Sequence, residues 1–127
     1  MQVNPHYQSV LKEVKAYLKR SVEKALEAGI SKTKIVVDPG FGFGKKREHN
    51  LQLLQGLEEF SSMKLPLLVG LSRKSFLGRV TGKETGEREF ASTAVHVLLA
   101  ERGANILRVH DVRAARDAIC VTQEVSK

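Results

Sequence analysis

Asp38-Pro-Gly-Phe-Gly-Phe-Gly-Lys-Lys46 directly follows a short apolar run, Ile35-Val36-Val37. The run reads as a buried strand, so a carboxylate stands at its C-terminal end. Gly40, Gly42 and Gly44 alternate through the loop and allow backbone conformations that a Cβ would forbid. Phe41 and Phe43 stand between them, and aromatic rings on a glycine-rich loop need something to cover. Lys45 and Lys46 close the stretch. A carboxylate, two aromatic flaps and positive charge at one strand end suggest a site for a flat, polar, anionic ligand.

Working outward, a helix is predicted over 48–60, with Leu51, Leu54, Leu57 and Phe60 facing inward. Pro66 opens a second apolar run at 67–71, which leads through Ser72-Arg73-Lys74-Ser75 into a helical turn at 76–80. A polar loop, a small-residue-rich helix at 87–102 and a third strand at 105–109 follow, with a last helix over 112–125. Upstream, apolar residues at i, i+3 and i+4 predict a helix over 5–28, with Asn4 as N-cap, Pro5 at its first position and Gly29 as its stop. Tyr7 and Tyr17 fall on that stripe and are expected to pack in the core. Strands near 35–38, 67–71 and 105–109 alternate with helices at intervals that suit right-handed crossovers and a parallel sheet. Their continuous apolar character agrees with burial on both faces. The fold class is α/β.

All three strands end in charged residues: Asp38, then Ser72-Arg73-Lys74, then Arg108 with His110 and Asp111. In α/β folds ligands bind at that end of the strands. Asp38 either receives two N–H donors from a flat ring or caps the Asp-Pro-Gly turn. The glycine loop is neither a P-loop nor a dinucleotide fingerprint, because its glycine spacing matches neither. Arg73 and Lys74 stand at a helix start, where the dipole disfavours cations, so an anion or π-rich ring better explains the pair. Ser72 and Ser75 suit helix capping as well as ligand binding. Arg108 at a strand end is half of an ion pair or an anion clamp, and His110 can add a second donor. His49 and His96 lie on predicted helices and are expected to be structural or exposed. Cys120 has no partner base, and no residue cluster has metal-ligand spacing.

The chain of 127 residues allows one domain, 1–127. It has no apolar run near the ~20 residues of a membrane helix, and its N-terminus does not read as a signal peptide. The lone cysteine excludes an internal disulfide and fits a reducing, cytoplasmic setting. A formal charge of +7 raises nucleic-acid binding, but the cations are interspersed with acidic residues and form no long block.

Taken together, 38–45, 67–76 and 107–112 resemble the successive signatures of the dihydropteroate synthase family, in the family's order and spacing, and the opening Asn-Pro-His-Tyr helix resembles it too. The resemblance implies a pterin-binding (β/α)₈ TIM barrel of folate biosynthesis, the target of sulfonamides. That family condenses 7,8-dihydropterin-6-ylmethyl pyrophosphate with p-aminobenzoate, releases pyrophosphate, and usually uses Mg²⁺. By this likeness Asp38 binds the amino-pyrimidine edge of the pterin, and Lys74 contacts the ring and shapes the p-aminobenzoate pocket with Ser75. Phe43 walls that pocket, Arg73 helps form it, and Arg108 and His110 hold the pyrophosphate. Lys74 and Arg108 would be the catalytic pair. A full barrel needs about 250 residues. The chain is therefore expected to be the C-terminal half, beginning after the family's fifth strand and inactive alone. The Mg²⁺ ligand would lie outside it, and a homodimer would form through the late helices. A non-catalytic half-barrel binding anions or pterin, and a basic nucleic-acid-binding α/β protein, are the alternatives.

Overall fold

A computed structural model of the chain describes residues 9–43, 45–72 and 74–126. Helix α1 (Val10–Glu27) buries Val10 and Leu18, with Leu11, Val14 and Val22 half-buried against the same core. It starts at Val10, later than predicted, with Ser9 in the N-cap position; Asn4, Pro5 and Tyr7 lie outside the described residues. Tyr17 is 63% exposed, contrary to the core position expected of it. At 100° per residue, Tyr17 and the exposed Leu26 fall at opposite margins of the stripe, each about 90° from its centre. Periodicity drew that stripe too wide. Gly29, at φ +92°, follows the helix as predicted.

The predicted second helix is two pieces. Helix α2 (Arg47–Gln55) stops at Gly56, and a 3-10 turn, Leu57–Met63, continues from there. Gly56 lies under α1, where a Cβ would come within 2.6 Å of a Leu11 methyl carbon. Close approach of the two elements explains the glycine, and the glycine weakens the helix there.

The strands are short and parallel. Val37 bridges Leu67, and β1 (Leu68–Val69) pairs with β2 (Ile106–Leu107) in the register Leu68↔Ile106, Val69↔Leu107. Of the predicted runs at 35–38, 67–71 and 105–109, only Val37, Leu67, Leu68, Val69, Ile106 and Leu107 make ladder pairs. Side-chain chemistry takes over at the margins: Asn105 Oδ1 accepts the Leu67 N–H at 2.9 Å, while beyond Leu71 the chain turns. Helix α3 (Ser75–Thr81) follows β1, and α4 (Glu89–Glu101), preceded by the 3-10 turn Thr85–Glu87, precedes β2. Helix α5 (Val112–Val125) packs on α4 and is capped by Asp111, whose Oδ1 accepts the Ala114 N–H at 3.1 Å. Phe60, Leu53, Leu57, Val69, Leu71 and Leu99 form the centre of the core.

Both helical histidines are buried. His49 Nδ1 accepts the Lys46 N–H at 3.0 Å and so serves the start of α2. His96 on α4 is 3% exposed, and neither ring nitrogen has a hydrogen-bond partner among the described residues. Burial pushes its imidazole below the ordinary 6.5, and the Glu89 carboxylate only partly offsets this. The unfolded chain therefore takes up this proton at a higher pH than the folded chain does. His96 holds its stability contribution above about pH 6.5 and loses it as pH falls from there towards the lowered folded value. The urea midpoint should accordingly drop between about pH 7 and pH 5, and His96→Leu should flatten that drop. An equally steep drop in the variant would assign the acid sensitivity to other groups.

Candidate functional site

Because the strands are parallel, their C-terminal ends form one rim. Asp38 follows Val37; Ser72 and Lys74 follow β1; Arg108 and His110 follow β2. Asp38 does cap its own turn, since Oδ1 accepts the Gly40 N–H at 2.8 Å. Its other oxygen has no hydrogen bond among the described residues, and the residue is exposed. Capping and ligand binding are therefore compatible, one oxygen for each.

The two phenylalanines part company. Phe41 is 1% exposed and belongs to the core, whereas Phe43 is 59% exposed. Only Phe43 is a flap. Gly40 and Gly42, at φ +73° and +87°, give the backbone the left-handed turns that send adjacent rings to opposite sides. Gly44 lies outside the described residues.

The loop is fastened at several points. Lys45 Nζ donates to the carbonyls of Gly40 at 2.7 Å and Phe43 at 3.0 Å. Lys74 Nζ donates to the Phe41 carbonyl at 2.6 Å and stands 4.5 Å from the centroid of the Phe43 ring. Asn50, buried on α2, accepts the Gly42 N–H at 2.9 Å and donates to the Lys46 carbonyl at 3.2 Å. Lys46 itself stays exposed, so of the two closing lysines only Lys45 turns inward.

Burial lowers the Lys74 pKa first, the Arg108 charge lowers it further, and Asp38 pulls the other way. Lys45 responds in the same manner to burial, then Lys74, then Asp38. Asp38, Lys45, Lys74 and Arg108 thus form one electrostatic group in which cations outnumber the carboxylate. Such a rim attracts anions. Arg108 is exposed and lies across Gly70, and His110 Nδ1 is 3.0 Å from Ser72 Oγ. Ser72 therefore does not cap α3; Lys74 takes that position without a side-chain capping bond. Ser75 is the exposed first residue of α3, and Arg73 lies outside the described residues. A cleft of about 590 Å³ opens between α1 and the loop, with Tyr17, Arg20, Asp38, Phe43 and Lys45 among its lining residues. Lys74, Arg108 and His110 do not line it; they continue the rim beyond Phe43.

Among the described residues no three His, Cys, Asp or Glu side chains are grouped to hold a metal ion, and the rim is cationic. These residues do not fit a resident Mg²⁺. Nor is any helix among them long and apolar enough to cross a membrane.

A sequence model of the family described as pterin binding enzyme matches residues 1–110. The chain belongs to the pterin-binding enzyme family. It is 46% identical over 123 residues to dihydropteroate synthase of Haemophilus influenzae, covering 97% of this chain and 45% of that protein. Among solved structures, dihydropteroate synthase from Xanthomonas albilineans in complex with 7,8-dihydropteroate superposes with a TM-score of 0.94 at 45% identity, covering 99% of this chain and 48% of that one. The same enzyme with 4-aminobenzoic acid gives a TM-score of 0.94 at 46% identity, over 97% and 45%. The chain spans a little under half the length of the relatives it matches.

Proposed function

We propose that the chain forms the second half of a dihydropteroate synthase, three βα units of an eight-stranded TIM barrel, with residues 1–127 as its C-terminal half-domain. The observation that carries this is the gathering of Asp38, Phe43, Lys74, Arg108 and His110 on one rim, in a family whose solved members include complexes with dihydropteroate and 4-aminobenzoic acid. The remaining strands and the rest of the pterin edge would come from the part of the relatives' length that this chain does not span.

The Asp38 oxygen that does not cap the turn binds the N–H edge of the pterin. Lys74 contacts the pterin ring and, with Ser75, shapes the p-aminobenzoate pocket. Phe43 walls that pocket and Arg73 completes it. Arg108 and His110 hold the pyrophosphate. The amine nitrogen of p-aminobenzoate attacks the methylene carbon of the dihydropterin; the C–N bond forms as the C–O bond breaks. The bonding electrons leave on pyrophosphate and the amine gives up a proton. Charge that grows on the leaving oxygen is met by the cations already in place. The reaction makes the protein a transferase, and the lone cysteine fits a cytoplasmic setting. A homodimer would form over the late helices α4 and α5, where exposed Val112, Val121 and Val125 offer apolar surface; a monomer by sedimentation would remove that element.

The deciding experiment is turnover of the dihydropterin pyrophosphate and p-aminobenzoate with Mg²⁺, by this chain alone and mixed with a chain spanning the rest of the barrel. Dihydropteroate from the mixture, lost on Asp38→Ala, is the expected result. Binding of pyrophosphate without turnover in either case would reduce the chain to an anion-binding half-barrel. No binding and no turnover would sink the proposal.

A further inference from the structure

The register of β1 with β2 extends past the last ladder pair. Continuing Leu68↔Ile106 and Val69↔Leu107 by alternate residues sets Gly70 beside Arg108 and Ser72 beside His110. The ladder supports this extension, because the Arg108 N–H donates to the Val69 carbonyl at 3.0 Å. The side chains follow it. An ideal Cβ on Gly70 would stand 2.6 Å from one terminal nitrogen of the Arg108 guanidinium, 2.7 Å from Nε and 2.9 Å from Cζ. Gly70 is not in the left-handed region, so what glycine saves at this position is volume, not conformation. Glycine within a strand weakens it and marks places where another group must come close. Here that group is the Arg108 guanidinium, set close against bare backbone.

Ser72 does the corresponding work for His110. It is 4% exposed, and its only hydrogen-bond partner among the described residues is His110 Nδ1, at 3.0 Å. A hydroxyl buried this deeply needs an acceptor for its hydrogen, and Nδ1 is the one present among the described residues. With the hydroxyl as donor, Nδ1 accepts and the ring's own proton sits on Nε2.

We propose that Gly70 and Ser72 are positioning residues for anion capture: Gly70 seats the Arg108 guanidinium, and Ser72 fixes His110 as an Nε2–H donor. Neither touches the anion. They make the end of β1 a mould for the two anion-facing side chains of β2. This deepens the proposed role of Arg108 and His110 towards pyrophosphate, and one arm of its test stands apart from that role.

That arm is the tautomer of His110, read by long-range proton–nitrogen correlation NMR on the unaltered chain. The expected result is the Nε2–H form, lost to a mixture in Ser72→Ala and restored in Ser72→Thr. An Nδ1–H form, or a mixture that Ser72→Ala leaves unchanged, would overturn the assignment to Ser72. For Gly70 the probe is inorganic pyrophosphate. Gly70→Ala should raise its dissociation constant by about tenfold or more, yet add nothing in an Arg108→Ala background, since one residue acts through the other. Losses that multiply in the double variant would overturn the assignment to Gly70. Should the unaltered chain not bind pyrophosphate, the anion reading of the rim fails. The seating claim is then decided by the Arg108 Nε–H resonance, which Gly70→Ala must shift.

Discussion

Phe41→Ala should lower the free energy of unfolding by about 3–5 kcal/mol, the cost of deleting a fully buried aromatic ring and leaving a cavity behind. Against a total stability of about 5–15 kcal/mol for an ordinary domain, this loss is a large share. The effect should also reach the rim. Phe41 anchors the glycine loop in the core, and its carbonyl receives Lys74 Nζ. Without the ring the carbonyl loses its fixed place, and Phe43 loses the ammonium that stands against it. The control is Phe43→Ala, two residues away and mostly exposed, which should change stability by less than about 1 kcal/mol. Urea denaturation of both variants decides the matter. Equal losses would mean that the loop is not anchored as described.

Lys74→Met should reduce turnover of the assembled enzyme by about 10²–10³-fold, the usual cost of removing a cation or donor that meets developing charge. The substitution keeps much of the side chain's length and apolar body, so the loss isolates the ammonium. It removes the bond to the Phe41 carbonyl, the contact over the Phe43 ring and a charge beside Arg108. The pH dependence gives this prediction a second edge. Burial, reinforced by Arg108, holds the Lys74 pKa below its ordinary 10.5. Anion affinity should thus fall as pH rises through that lowered value, before a free lysine would titrate. Stability should move the other way over the same range, because the unfolded chain keeps the proton longer than the folded one. Lys74→Met should abolish both of Lys74's contributions. An alkaline limb of affinity that survives the substitution would assign it to another group, with Lys45 the first to test.

The order of elements and the shared rim were legible because apolar runs bounded by Gly, Pro and charge leave few ways to form an α/β sheet. Asp38, Lys74, Arg108 and His110 could be singled out since each follows such a run. What escaped reading depends on packing. Nothing local distinguishes Phe41 from Phe43; only the left-handed turns at Gly40 and Gly42 send one ring to the core and the other to solvent. Asn50 looks like any polar residue near a helix start until its amide is seen to hold Gly42 and Lys46. Gly70 sits in an apolar run where glycine suggests only a weak strand, and its purpose emerges once the register sets Arg108 against it. Ser72 suited helix capping and ligand binding equally from its sequence neighbours, whereas its partner is 38 residues away. Long-range pairing is invisible to a local reading.

The burial of His96 affects how acid-side data on this protein must be interpreted. The imidazole belongs to α4, not to the rim of the candidate site, and its protonation erodes the scaffold. A weaker apparent affinity in mildly acidic buffer would then include a smaller fraction of folded chain alongside any change in the affinity of each folded molecule. Inhibitor rankings collected at low pH would blend fold occupancy with recognition. Normalising each titration to its measured stoichiometry would separate the two.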